Sequence, residues 1–387
     1  MVNFFIGIAL GANVVIANAI GREDTDAVHR AVHTAVVVAV LGGVLVTVLG
    51  ELAAGPALRA LNVPAEVLPY ALLYLRIYLL GVPVILLYNF EAAIFRSVGD
   101  TRVPLQTLAF SGVLNVLLNL FFVIVLHMTV NGVATATVLS NAISSVLLFV
   151  RLRRSDKAIH LEWTALRIDR RSLQKILQIG IPAGIQSAVF SISNIVIQSA
   201  INSLGTVVMA ASSAAFNIEV VAYDVLNSFS QACTTFVGQN YGAGKLDRCR
   251  KTLVLCLVED ALASGIAILL VLGSGRFLLS LFNRDPEVIA LGYTRLMTVF
   301  TAYFFSMLYE VMSGYLRGFG ISLVPALLTM LGVCGVRILW IATAFPRSRT
   351  FQTILLAYPL SLAATAVLIL LALLIYHPSR RTKGEAV

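Results

Sequence analysis

The chain has 387 residues, 59% of them hydrophobic and only 12% charged, with a mean hydropathy of +0.91 and a net charge of +9. A soluble domain of this size carries about 25% charged residues, so this composition excludes a water-soluble fold and reads as an all-α polytopic membrane protein. The basic balance does not point to nucleic acid, because the positions of the charges follow membrane topology.

In chain order, the apolar segments predict eleven transmembrane helices, at 3–20, 30–50, 69–96, 103–126, 130–150, 173–203, 212–237, 252–273, 288–316, 322–345 and 350–376. They divide into an N-terminal lobe of five helices (1–150), a basic linker (151–172), a C-terminal lobe of six (173–376) and a tail (377–387). Sorted by alternating loops, twenty of the 28 Lys and Arg fall on one side, eight of them between Arg151 and Lys175. Five fall on the other side, and Arg76, Arg295 and Arg337 lie within helices. Excess Lys and Arg in short loops marks the cytoplasmic side. A multi-pass protein of the inner (plasma) membrane with a cytoplasmic C-terminus is therefore expected.

Cys233, Cys249, Cys256 and Cys334 show no C-x-x-C pairing and read as small buried hydrophobes. The chain carries no H-E-x-x-H, G-x-S-x-G or P-loop motif, so neither catalysis nor a bound cofactor or metal is expected.

The loop RSVGDTRVP (Arg96–Pro104) recurs further along. Arg96, Gly99 and Pro104 match Arg317, Gly320 and Pro325, each 221 positions on. The offset holds without a gap from Gly21 to Pro104, and it also pairs Asp26 with Asp247, Arg30 with Lys251, Asn62 with Asn283 and Glu66 with Glu287. That length is a duplicated half rather than a solenoid period. Matching loops on the same side make the repeat parallel, a design found in secondary transporters with the site between the halves. The turn itself has a local explanation: Gly closes a helix in a left-handed conformation, Pro opens the next one, and Arg suits a helix C-terminus.

VGQNYGAGK (Val237–Lys245), RSVGDTRVP, LRGFG (Leu316–Gly320), SGVLNVLLNLFFV (Ser111–Val123) and LGVCGVRILWI (Leu331–Ile341) resemble the bacterial branch of the multidrug and toxic compound extrusion (MATE) family. The resemblance covers essentially the whole chain. It implies two six-helix lobes around a cavity and export of amphipathic, cationic organic compounds in exchange for H⁺ or Na⁺. By the 221 offset Met1 falls on Ala222, so the N-terminal lobe is expected to lack the family's first helix and the start of its second. The coupling acid that the family's first helix usually carries then has no counterpart here.

An ionisable group at mid-bilayer costs roughly 2.5–3.5 kcal/mol and is a functional suspect by default. Glu310, two turns before Arg317, is the first coupling candidate, with Arg337 on the following helix as its expected ion-pair partner. Glu219 is the second; with Tyr223 one turn later it is also a candidate to hold a cationic substrate by charge and ring face, and it shares candidacy with Glu310 as a Na⁺ ligand. Asp224 lies about 140° from Glu219 around the helix, so the two do not share a face. Glu91, Glu259 and Asp260 are weaker suspects. Asn115 and Asn119, spaced i, i+4, face one way and suit either cavity lining or polar interhelix packing. Phe190, Phe216, Phe229, Tyr303 and Tyr309 are candidate cavity-wall aromatics. The expected partners are small-molecule substrates and the lipid bilayer, the chain itself being a monomer. A rival reading on the same design is a flippase for lipid-linked precursors, and another is a non-functional remnant.

Overall fold

The computed structural model describes residues 2–60 and 64–378. Asn62 and the tail cations Arg380, Arg381 and Lys383 lie outside the described residues. No strand occurs among those described. The helices are α1 (Val2–Gly21), α2 (Thr25–Ala60), α3 (Leu68–Ser97), α4 (Arg102–Leu120), α5 (Val130–Arg153) and α6 (Arg170–Asn202), followed by α7 (Thr206–Gly242), α8 (Leu246–Ser280), α9 (Pro286–Gly318), α10 (Leu323–Thr329), α11 (Val336–Thr343) and α12 (Phe351–Tyr376). A π turn at Met330–Gly335 joins α10 to α11 as one span, and α4 ends in another at Phe121–Val125. Among the described residues eleven helical segments are long and apolar enough to cross a membrane, as the sequence predicts.

Several helices run past their predicted ends; α2 was expected over 30–50, α7 over 212–237 and α8 over 252–273. Hydropathy finds only the part of a helix that hydrocarbon selects, whereas capping residues set its true start. Asp24 accepts a hydrogen bond from Ala27 N–H at 2.9 Å and Asp285 from Glu287 N–H at 2.9 Å, with Pro286 as the first residue of α9. Such side chains satisfy N–H groups that the first helical turn leaves unpaired.

The 221-residue repeat is visible as duplicated turn chemistry. Gly99 N–H donates to Arg96 C=O at 2.8 Å, and Gly320 N–H to Arg317 C=O at 2.8 Å. Asp100 N–H reaches Phe95 C=O at 3.1 Å, as Ile321 N–H reaches Leu316 C=O at 3.1 Å. Gly99 and Gly320 have φ of +78° and +84°, the left-handed region that a Cβ makes costly.

The chain divides into two compact units, 1–184 and 185–387, with the boundary inside α6. In the first unit a core around Ile16, Phe90, Leu148 and Leu152 joins α1, α2, α3 and α5. The basic segment after α5 belongs to this unit. Its Ile159 and Leu161 are buried, Glu162 N–H donates to His33 Nε2 at 3.0 Å, and Asp169 N–H donates to Thr34 Oγ1 at 3.0 Å. In the second unit the core gathers Leu226, Phe300, Tyr309 and Ile354 from α7, α9 and α12.

Candidate functional site: a buried charge network in the second unit

Helices α7 and α9 pack side by side through small and hydroxyl residues. Ser230 Oγ donates to the Glu310 carbonyl at 2.8 Å, and Thr234 Oγ1 to the Gly314 carbonyl at 3.0 Å. A Cβ on Gly314 would run into the Ser230 carbonyl oxygen, so the close approach depends on glycine. This contact fixes which side chains of the two helices meet.

Glu219 and Arg295 form one layer of the network. Arg295 Nε donates to Glu219 Oε1 at 2.6 Å and Nη2 to Oε2 at 2.8 Å, a two-pronged pair with both side chains buried. Arg295 Nη1 donates to Ser212 Oγ at 2.6 Å, and Nη2 reaches the Tyr358 hydroxyl at 3.3 Å. Each fork of the guanidinium thus has an acceptor, the condition under which a buried ion pair is tolerated.

Glu310 is different. Tyr223 donates its hydroxyl to Glu310 Oε1 at 2.9 Å, and among the described residues no Lys or Arg lies within 4.0 Å of this carboxyl, which is only 4% exposed. The expected Glu310–Arg337 pair is not made. Arg337 donates from Nε to Ser361 Oγ at 3.0 Å, and its guanidinium sits 4.5 Å from the centre of the Tyr358 ring.

Depth explains the correction. Counting at 1.5 Å per residue, Glu310 lies ~12 Å from the end of α9, whereas Arg337 lies ~21 Å from the start of its span at Leu323. Glu219 and Arg295 lie ~20 Å and ~14 Å from the starts of parallel neighbours, a gap an Arg side chain closes. Arg295 stood in the sequence as an intramembrane cation without an assigned partner, and this depth count is the signal that pairs it with Glu219. Tyr223, expected beside Glu219, serves Glu310 instead.

The remaining candidates separate. Asp224 is exposed, on a different face from buried Glu219. Tyr303 and Tyr309 lie in the core with Phe190 packed against it, Phe229 joins a separate cluster around Cys233 and Tyr315, and Phe216 is exposed. The five aromatics are therefore not gathered on one surface of the unit. Asn115 Nδ2 donates to Ser140 Oγ at 3.2 Å and Asn119 Nδ2 to Asn115 Oδ1 at 3.1 Å, a polar seam between α4 and α5. Two weaker suspects gain interest. Asp260 accepts only from Ser264 at 2.6 Å and Glu91 only from Ser145 at 2.9 Å; each is wholly buried with its second oxygen unpartnered among the described residues.

Comparison with known proteins places this geometry in context. The MatE family model matches residues 1–121 and 182–342. Probable multidrug resistance protein YoeA of Bacillus subtilis is 26% identical over 87% of this chain and 74% of its own length. Probable multidrug resistance protein NorM of Thermotoga maritima is 26% identical over 99% of this chain and 82% of its own. A crystal structure of a MATE protein in complex with MaL6 superposes with a TM-score of 0.91 at 19% identity, covering 98% of this chain and 86% of that one.

Proposed function

Because this chain belongs to the MATE family of transporters, we propose that it is a secondary antiporter of the plasma membrane, with its C-terminus in the cytoplasm. It exports amphipathic, cationic organic compounds in exchange for H⁺ or Na⁺, with Glu310 as the coupling group. The observation that carries the assignment of Glu310 is its burial against the Tyr223 hydroxyl with, among the described residues, no Lys or Arg within 4.0 Å. An ionisable side chain inside a membrane span without a counter-ion is a natural place for an ion of the gradient to bind. Glu219 has both oxygens occupied by Arg295, which leaves it a structural part. The relatives' names, which refer to multidrug resistance, support drug export, while the cationic and amphipathic character of the cargo is part of the proposal. Loading Glu310 removes one buried negative charge beside Tyr223, and it is the difference in loading energy between two conformations that biases alternating access.

The test is export of a fluorescent organic cation from proteoliposomes under an imposed pH or Na⁺ gradient. Glu310→Gln keeps the shape and the Tyr223 contact but cannot exchange a proton. It abolishes gradient-driven export while leaving expression and thermal stability at wild-type levels. Undiminished export by this variant removes Glu310 from the mechanism.

A further inference from the structure

In the first unit an open cavity of about 850 Å³ lies where the end of α1, the start of α2 and the start of α6 meet. Its walls carry Arg22, Arg30, Arg167, Arg170, Arg171 and Lys175, while Val15 and Ala19, both buried, supply an apolar floor. Two acids, Asp24 and Asp169, share the lining and accept hydrogen bonds from their own helix starts. Asp24 accepts from Ala27 N–H, and Asp169 accepts from Ser172 N–H at 2.8 Å and Ser172 Oγ at 2.7 Å. Among the described residues none of the six cations has a carboxylate within 4.0 Å. Six cations against two carboxylates leave an excess of positive charge around one concavity, which repels itself unless an anion joins it.

We propose that this cavity binds a phosphate-bearing anion. Five of the six cations are Arg, whose planar fork matches phosphate oxygens in pairs, and with two acids in the lining the remaining excess of four positive charges exceeds what a single carboxylate could balance. The cavity sits at the ends of three membrane helices and gathers six of the chain's 28 Lys and Arg, which is where the headgroup of an anionic phospholipid would be met. A soluble polyphosphate shares the same chemistry, and the experiment separates the two sources.

The full chain, purified in neutral detergent, is titrated with short-chain phosphatidylglycerol, phosphatidylcholine and inorganic pyrophosphate, with binding read by native mass spectrometry and calorimetry. Each basic residue near an anionic headgroup contributes about fivefold in affinity, so Arg30→Gln with Arg171→Gln weakens binding by about 30-fold. Arg167→Gln with Lys175→Gln does the same should the first pair fail to fold. Arg102→Gln with Lys251→Gln, on the basic side but outside the cavity, changes nothing. Selective binding of phosphatidylglycerol identifies a lipid site, and binding of pyrophosphate without lipid identifies a soluble phosphate. The proposal is overturned if phosphatidylcholine binds as well as phosphatidylglycerol, if neither anion binds, or if the cavity variants bind as the wild type does.

Discussion

Arg295 and Arg337 both end on Tyr358 yet make different demands on their surroundings. Arg295 neutralises a buried carboxylate, so Arg295→Ala strands Glu219 without a counter-charge and is expected to cost about 3–5 kcal/mol. Arg337→Ala loses one charge-assisted hydrogen bond and a ring contact, about 1.5–3 kcal/mol, and strands no acid. Thermal unfolding in detergent checks the order: the Arg295 variant melts lower than the Arg337 variant. Equal melting temperatures would mean that the Glu219 pair contributes no special stability. That both arginines are intramembrane is plain from the sequence. Which acid each one meets depends on depth and rotation around the helix, which no run of apolar residues encodes.

At the scale of elements, the α7–α9 seam and the start of α6 carry separate predictions. Gly314→Ala pushes the helices apart at the Ser230 carbonyl and weakens the Ser230 and Thr234 bonds. An overpacking cost of about 1–3 kcal/mol is expected, seen as a lower melting temperature. Asp169 caps α6, and hydrogen bonds from Ser172 hold its carboxyl below its usual value. A depressed pKa contributes stability that is complete above the unfolded-state value, about 3.9, and is lost as pH falls through the folded-state value. Asp169→Asn keeps a capping oxygen but cannot titrate. The melting difference between wild type and variant is therefore expected to shrink as pH drops below about 4, and a constant difference would show that the cap does not ionise. Helix existence was legible in the sequence because twenty apolar residues in a row admit few alternatives. Helix ends were not, because caps such as Asp24 and Asp169 lie among loop residues whose side chains have many other partners.

For the molecule as a whole, the charge bias of the loops makes a topological prediction. Asp156→Cys, on the exposed basic segment after α5, is protected from a membrane-impermeant maleimide in intact cells, and Ser348→Cys, exposed between α11 and α12, is labelled. The four native cysteines are buried and stay silent. The reverse labelling pattern would invert the assigned orientation. The repeat belongs to this scale too. Matched Gly and Pro at one offset announced two copies of a half, and the structure returns them as turns with the same hydrogen bonds.

The sequence by itself determined the solvent the chain folds in, the number of its spans and their duplication. Those properties are sums over many residues or local turn rules that tertiary contacts do not override. Only the tertiary structure decided that Glu219 is neutralised by Arg295 and that Glu310, among the described residues, is left with Tyr223 and no cation. It also decided that six basic side chains from three helix ends face one cavity. Each of those facts turns on a few ångströms between helices remote in sequence, where a carboxylate's charge is matched or unmatched according to which side chain arrives.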